Sequence, residues 1–341
     1  MSEIGALEAE TAALREGAGA FRSARDVVAV RGPDAEEYLQ GQLSQDVTGL
    51  PVGDAAASLL LEPDGKLSAL LRVTRTDGQG FVLDVDAGYG DAVAARLRRF
   101  LLRAKVELEM LDWRCLSLRG AGVTDAAGGL LTVLAERGVL ALPFEWNGWR
   151  GVDLLGPSDV VLGPEGLELP PGIVACGADA VEACRIVSGV PAMGAELTAK
   201  TIAAEAGLVE RTVSFTKGCY TGQELVARID SRGSNVPRRL VGIVASGESE
   251  SEAPLAPGMT LHAGENPAGD GAAGDKVAGT VTSAAWSVEL GAWVALAFLH
   301  RSVEAPGPVR VRSGDGVGDS WPARAERLPL RPLGTTDAPS G

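Results

Sequence analysis

The sequence predicts an α+β protein with a β-rich C-terminal domain. Three features of its 341 residues carry that expectation. Stretches of helical period and of alternating period interleave between residues 26 and 112. From residue 113 short alternating stretches follow one another, joined by Gly- and Pro-rich connectors. From 239 to 330 further such stretches are separated by polar, Gly-rich loops.

Taken in order, residues 26–31 (DVVAVR) read as a strand. Gly32-Pro33 then turns the chain, and Asp34 caps a helix with Tyr38, Leu39 and Leu43 on one side. AASLLLE, Pro63-Asp64-Gly65 and LSALLRVTR read as strand, turn and strand, and GFVLDVD (80–86) adds a third strand. Asp91 opens a helix in which Val93, Leu97 and Leu101 recur at helical spacing. The Gly88-Tyr89-Gly90 before it is a strand-to-helix connection, not a full dinucleotide fingerprint. WRCLSLRG, LLTVLAE, GVLALPF and RGVDLLG read as strands between 113 and 156, followed by a helix near 178–187. RLVGIVAS, VAGTVTSAAW and WVALAFLH supply strands of the C-terminal domain. The inserts GESESEAP and AGENPAGDGAAGDK read as mobile loops, and residues from about 333 onward as a disordered tail.

Composition narrows the function. A 45% hydrophobic, 22% charged chain is globular, and its length suits two or three domains at roughly 100–200 residues each. No apolar run approaches the roughly 18 residues of a membrane-spanning helix. Acids scattered through residues 1–25 do not fit a secretory signal or a transit peptide. The expectation is a soluble, cytoplasmic protein with no membrane partner. With 31 Lys and Arg against 45 Asp and Glu, the net charge is −14, which repels phosphate backbones and argues against a nucleic-acid partner. Four Cys (115, 176, 184, 219) and two His (262, 300) occur without CxxC or HxxxH spacing, so no metal site is expected from this chain alone.

The chemistry concentrates in residues 214–239, SFTKGCYTGQELVARIDSRGSNVPRR. Thr221-Gly222-Gln223-Glu224 reads as a capping box that starts a helix at about residue 222. Leu225, Val226 and Ile229 form its apolar stripe and Gly233 its stop. Cys219 precedes the cap by two residues. Helix N–H groups and the charge of Lys217 favour a thiolate there, and Gly218 lets the backbone approach a ligand closely. The competing reading is a small residue packed in a turn, with Lys217 solvated. Between 217 and 239, Lys217, Arg228, Arg232, Arg238 and Arg239 stand against Glu224 and Asp230, a local +3 within a −14 protein. Such a patch suits a small anionic ligand, or is simply the solvated face of a surface helix.

Lys217-Gly218-Cys219-Tyr220-Thr221-Gly222-Gln223-Glu224 resembles the signature of the YgfZ family, folate-binding relatives of the aminomethyltransferase (T-protein) of the glycine cleavage system. Tyr38-Leu39-Gln40-Gly41-Gln42 resembles the family's first helix. Arg185 through Gly189, with Pro191, Gly194 and Glu196, resembles the segment after its middle domain. Gly279-Thr280-Val281-Thr282-Ser283 and Ala295-Leu296-Ala297 resemble its barrel, so the resemblance spans about 25–330.

It implies an α+β, three-domain aminomethyltransferase-like fold around a central channel, with a ferredoxin-like domain and a C-terminal β-barrel. The first two domains would be discontinuous within 20–236, roughly 20–54 with 113–200 and 55–112 with 201–236. The barrel would take 237–332, leaving 333–341 as tail. The resemblance also implies tetrahydrofolate, or a one-carbon derivative, as cofactor. It implies a role in assembling or repairing iron–sulfur proteins, with client or carrier proteins as partners. By the same resemblance Cys219 and Lys217 are the reactive residues. Arg185, Gly218, Tyr220, Gly222, Gln223, Glu224, Arg228 and Arg232 would hold the folate.

Two departures from the aminomethyltransferases matter. Their Gly-x-Leu-Asp-Asp run is Gly65-Lys66-Leu67-Ser68-Ala69 here, and their Gly-Tyr-Thr-Gly-Glu-Asp-Gly stretch is Phe144-Glu145-Trp146-Asn147-Gly148-Trp149-Arg150. Both acids needed for amine and pterin chemistry are missing, which argues against glycine cleavage. A folate-dependent one-carbon transferase of unknown substrate is the alternative. Trp146 and Trp149 read either as a stacking platform for a pterin or as core and hairpin anchors.

Overall fold

A computed structural model describes residues 3–161, 169–231, 235–245, 254–263, 276–313 and 320–330. The strand Arg25–Arg31 carries four consecutive apolar residues because both of its faces are covered. Val28 and Val30 point into one core cluster, while Val27 packs with Cys115, Leu142 and Leu155 on the opposite side. This strand lies between Gly80–Asp86 and Glu107–Leu111, and the hairpin Ala55–Leu61 with Leu67–Arg75 extends the sheet to five antiparallel strands. Helices Ala35–Gln42 and Gly90–Arg99 cover one face through Tyr38, Leu39, Val93 and Leu97. The order strand, helix, two strands, helix, strand is ferredoxin-like, with Ala55–Leu61 as an added edge.

A second sheet joins Val174–Ala175, Gly19–Ser23, Trp113–Arg119, Trp149–Pro157 and Leu140–Trp146. The stretch LLTVLAE is not a strand but the end of the helix Val123–Glu136. Val123, Ala127 and Leu134 recur at helical spacing and bury one face against this sheet; Leu and Ala are also strong helix formers. The segment 20–54 does not go whole to this sheet. Gly19–Ser23 pairs with Trp113–Arg119, whereas Arg25–Arg31 finds ladder partners on both sides in the ferredoxin-like sheet. Asp34 precedes its helix without capping it: its carboxylate instead accepts the Lys105 N–H at 2.7 Å.

The C-terminal domain is a closed six-stranded barrel. Arg238–Ala245 pairs with both Ala292–His300 and Ser320–Glu326, and Val277–Ser287, Thr260–Ala263 and Gly307–Arg312 complete the ring. Closure leaves no free sheet edge. Helix Ala178–Val187 packs on the barrel through Ala183, Ile186 and Val187. The two inserts, apart from their end residues, and the expected tail lie outside the described residues. Among the described residues no helix is long and apolar enough to cross a membrane.

Candidate functional site

The helix Gln223–Asp230 forms, but its entry is not a capping box. The Thr221 N–H donates to the Gly41 carbonyl at 3.0 Å, and its hydroxyl reaches the same oxygen at 3.4 Å. Gly222 is the N-cap, at φ +84°, and a Cβ there would lie 2.5 Å from the Glu62 carbonyl oxygen. Gln223 accepts the Tyr220 N–H at 3.2 Å, and Glu224 is exposed. The turn is thus shaped by docking on the Ala55–Arg75 hairpin, where the open conformational range of glycine is required. Gly65, at that hairpin's tip, leaves room for Leu225 of the motif helix.

Lys217 is neither solvated nor free to face the thiol. Its ammonium donates to the carbonyls of Gln40 and Leu43 at 2.7 Å and of Gln45 at 2.9 Å, which commits all three of its protons. These carbonyls lie at and just beyond the end of the helix Ala35–Gln42, where carbonyls lack helical partners. Burial pushes Lys217 down to about 8, with Asp46 acting in the opposite direction. Tyr220, 8% exposed, is buried in the apolar cluster of Leu61, Leu67, Ala206, Val226 and Phe298.

Cys219 sits between these anchors and is exposed, alone among the four thiols. Cys115 and Cys184 are buried and Cys176 is half-buried; burial pushes the first to about 12 and the other two to about 11. Phe215, four residues before Cys219, is 56% exposed. A Cβ at Gly218 would meet nothing within 4 Å, so packing does not demand glycine there. Arg228 is exposed on the motif helix. Arg232 and Gly233 lie outside the described residues.

Arg185 is not positioned as a free anion receptor. It donates to both Glu182 carboxylate oxygens at 2.7 and 2.6 Å, to the Val190 carbonyl at 2.5 Å and to Glu196 at 3.2 Å, leaving one of five N–H groups. Glu196, 1% exposed, also accepts the Thr282 and Ser283 hydroxyls at 2.6 Å and the Ala192 N–H at 3.0 Å. Arg185 and Glu196 therefore tie the helix Ala178–Val187 to the barrel.

The large cavity lies elsewhere. A space of about 1100 Å³ opens between the barrel, the Leu140–Pro157 hairpin tip and the segment 206–211. Among the described residues, none of the predicted cysteine-motif and folate-holding positions lines it. Arg239 and Asn235 from the 217–239 segment do, with Arg211, Arg301, Arg327 and Trp146. The two tryptophans part company. Trp149 is buried, stacks 6.2 Å from Phe21 and donates its indole N–H to the Leu14 carbonyl, so it anchors the core. Trp146 faces the cavity with Arg211 over its ring at 4.3 Å.

The Ser68 hydroxyl donates to Glu62 at 2.5 Å, so a carboxylate does stand beside the Gly65–Ala69 run. Arg96 at 3.6 Å and Arg99 at 4.0 Å flank that carboxylate. Sequence reasoning missed a buried lattice between the two sheets. Arg25 and Arg72 meet Asp84, and Arg72 and Arg119 meet Asp153. Burial would raise the Asp153 carboxyl, but Arg119 and Arg72 outweigh it and hold it well below the usual carboxylate range. The available signal was an Asp flanked on both sides by apolar residues, Asp84 in FVLDVD and Asp153 in GVDLLG. Among the described residues no group of three or more His, Cys, Asp or Glu is arranged to hold a metal ion.

Two profiles cover most of this architecture. The GCVT N-terminal domain matches residues 3–147 and the glycine cleavage T-protein C-terminal barrel domain matches 238–329. A tRNA-modifying protein YgfZ from Pectobacterium atrosepticum is 26% identical over 291 residues, 82% of this chain and 83% of that protein. The chain belongs to the YgfZ family of the glycine cleavage T-protein superfamily. A mitochondrial iron-sulfur cluster assembly factor from Pyricularia oryzae is 28% identical over 228 residues, 61% of this chain and 53% of that longer protein. The crystal structure of the glycine cleavage system aminomethyltransferase T from Bartonella henselae aligns with a TM-score of 0.73 at 21% identity, over 95% of this chain and 89% of that one. The fold is therefore the three-domain aminomethyltransferase fold. Within it, this YgfZ-family chain keeps Lys-Gly-Cys-Tyr-Thr-Gly-Gln-Glu intact and carries Ser68-Ala69 in the hairpin.

Proposed function

We propose that this protein is a tetrahydrofolate-binding accessory factor for the assembly or repair of iron–sulfur proteins, acting through Cys219. The observation that carries the proposal is the contrast among its thiols. Cys219 is exposed on a loop fixed on one side by Lys217 and on the other by Gly222, while the other three are withdrawn. A loop built to display a sulfur suits a soft ligand or nucleophile that meets another protein. The exposed Phe215 offers that protein an apolar contact. The iron-sulfur assembly role named for the Pyricularia oryzae relative supports the same reading.

The residues present fit a reduced folate better at the cavity than at Arg185. The cavity exceeds the size range of most small-molecule sites, roughly 300–1000 Å³. Its lining combines apolar surface from Trp146, Leu240 and Ala206 with four arginines that outnumber Glu210 and Glu304. That arrangement suits a flat ring followed by an anionic tail. When bound, the folate supplies one-carbon carrier chemistry; Trp146 and the apolar wall orient the ring and exclude water. Titration calorimetry with tetrahydrofolate under anaerobic conditions tests this half of the proposal. Heat of binding with saturation is expected, and no binding at millimolar ligand overturns it.

The second reading, a one-carbon transferase of unidentified substrate, finds a carboxylate in Glu62 beside Ser68. That carboxylate already accepts the Ser68 hydroxyl and pairs with Arg96 and Arg99, so its oxygens are engaged within the protein. Formation of methylenetetrahydrofolate from an aminomethyl donor would favour this reading over the first.

A further inference from the structure

The end of the helix Gly90–Arg99 and the turn after it reverse the charge of the molecule. Residues 92–106 hold Arg96, Arg98, Arg99, Arg103 and Lys105 and no acid, within a chain of net charge −14. Leu102, inside this run, is 81% exposed, the most exposed large apolar side chain among the described residues. We infer that this end of the ferredoxin-like domain is a docking surface for an acidic protein segment. That segment sets an apolar side chain on Leu102 and carboxylates on Arg98, Arg99 and Arg103. Such a partner is the client or carrier of the proposed function, and its part in iron–sulfur chemistry rests on that reading.

Cations in a last helical turn complement the helix dipole, which accounts for part of the charge. Arg96 is also buried and engaged: it donates to the Leu61 carbonyl at 2.6 Å and to Gln42 at 3.1 Å, and it lies 4.0 Å over the Phe100 ring. The others are open. Arg98 is exposed and reaches the Leu108 carbonyl only at 3.4 Å, and Arg99, 68% exposed, stands 4.0 Å from Glu62. Arg103 and Lys105 lie beyond the helix, exposed, with no hydrogen-bond or ion-pair partner for their side chains among the described residues. Arg103 takes φ +66°, a left-handed conformation uncommon for a residue with a side chain, directly after Leu102.

The surroundings select the partner. The acids near by are Glu62, Asp34, whose carboxylate accepts the Lys105 backbone N–H, and Glu107 and Glu109 on the adjoining edge strand. Those two glutamates are exposed and bound the cationic area on that side. A phosphate backbone continuing past the turn runs onto them and has no apolar group for Leu102, whereas a short acidic segment of a protein ends before them. An anionic bilayer meets the repulsion of the rest of the molecule.

The patch adjoins the cysteine loop through Glu62. Its carboxylate lies beside Arg99, and its carbonyl oxygen lies 2.5 Å from where a Cβ on Gly222 would stand. Gln42, which holds Arg96, follows Gly41, whose carbonyl holds Thr221. A partner docked on Arg99 is thereby brought beside the loop that displays Cys219.

The test uses the full-length protein and four probes. They are a labelled peptide of paired glutamates and single leucines, the same peptide with serine for leucine, a single-stranded oligonucleotide of equal charge, and phosphatidylglycerol vesicles. Anisotropy reads the first three and co-sedimentation the vesicles. The leucine peptide is expected to bind at sub-millimolar concentration, about tenfold tighter than the serine peptide, and to weaken as salt rises. Arg99→Glu and Arg103→Glu should each weaken it by roughly threefold to tenfold and Leu102→Ser by about tenfold. Arg137→Glu, at the end of the helix over the other sheet, should leave it unchanged. No binding of the leucine peptide, equal binding of the serine peptide, or binding that survives all three patch substitutions overturns the inference. Tighter binding of the oligonucleotide or the vesicles overturns it too. The readout does not involve Cys219, so the docking surface and the role of the sulfur fail separately.

Discussion

The ammonium of Lys217 donates to the carbonyl oxygen of Leu43 at 2.7 Å. With Gln40 and Gln45 it closes the end of a helix more than 170 residues away in sequence. The lysine of the cysteine motif is therefore a clamp that sets where the loop runs. Replacing it by methionine keeps most of the apolar stem but leaves three carbonyls without their donor. Lys217→Met is expected to lower unfolding stability by about 1–3 kcal/mol, read as a shifted urea midpoint at unchanged slope.

The thiols give a pH-dependent prediction. At pH 8 an alkylating agent should label Cys219 well before Cys115, Cys176 or Cys184, with mass spectrometry assigning the sites. The other three hold values of about 12, 11 and 11, all above the free thiol. The folded protein thus keeps protons that the unfolded chain releases. Their stabilising share is whole below about pH 9 and is lost as the pH climbs through 11 to 12. Replacing Cys115 by alanine should remove its part of this alkaline loss, so the stability gap between wild type and Cys115→Ala narrows from pH 9 upward.

Glu196 is the buried link between barrel and helix, and Arg185 is its counter-charge. Arg185→Ala leaves a fully buried carboxylate without its cation and should cost about 3–5 kcal/mol. Glu196→Gln keeps the shape and one acceptor for Ser283 or Thr282 and should cost less. Calorimetric unfolding of both variants checks the order; equal, negligible shifts would show that the helix and barrel are held without this pair.

Gly222 adopts φ +84° with its would-be Cβ against the Glu62 carbonyl. Gly222→Ala should cost about 1–3 kcal/mol from backbone strain, with the contact added to it. Because the turn lies between the motif helix and Cys219, the alkylation rate of Cys219 should also change, whereas Gly218→Ala, in open space, should leave stability near wild type.

Much of the fold was legible because its signals are local. Four valines and alanines between Arg25 and Arg31, and the Pro63-Asp64-Gly65 turn, read directly as strand and hairpin. LLTVLAE misled because a seven-residue stretch with five apolar residues fits either period, and the helix begins at Val123, upstream of it. Thr221 and Glu224 have capping-box spacing, yet the tertiary pull of Gly41 and Glu62 overrides it. Arg185 was placed by resemblance, and only its neighbours Glu182 and Glu196 show that its donors are taken. The cavity arginines 211, 239, 301 and 327 come from four separated segments, and no spacing rule brings such residues together before the barrel closes.

The central claim is that the displayed sulfur of Cys219 does the work. Its most direct test is the activity of iron–sulfur enzymes in a strain lacking this protein, complemented by wild type, Cys219→Ala or Cys184→Ala at matched protein levels. The account predicts that wild type and Cys184→Ala restore the activities and that Cys219→Ala does not. Full restoration by Cys219→Ala would contradict it.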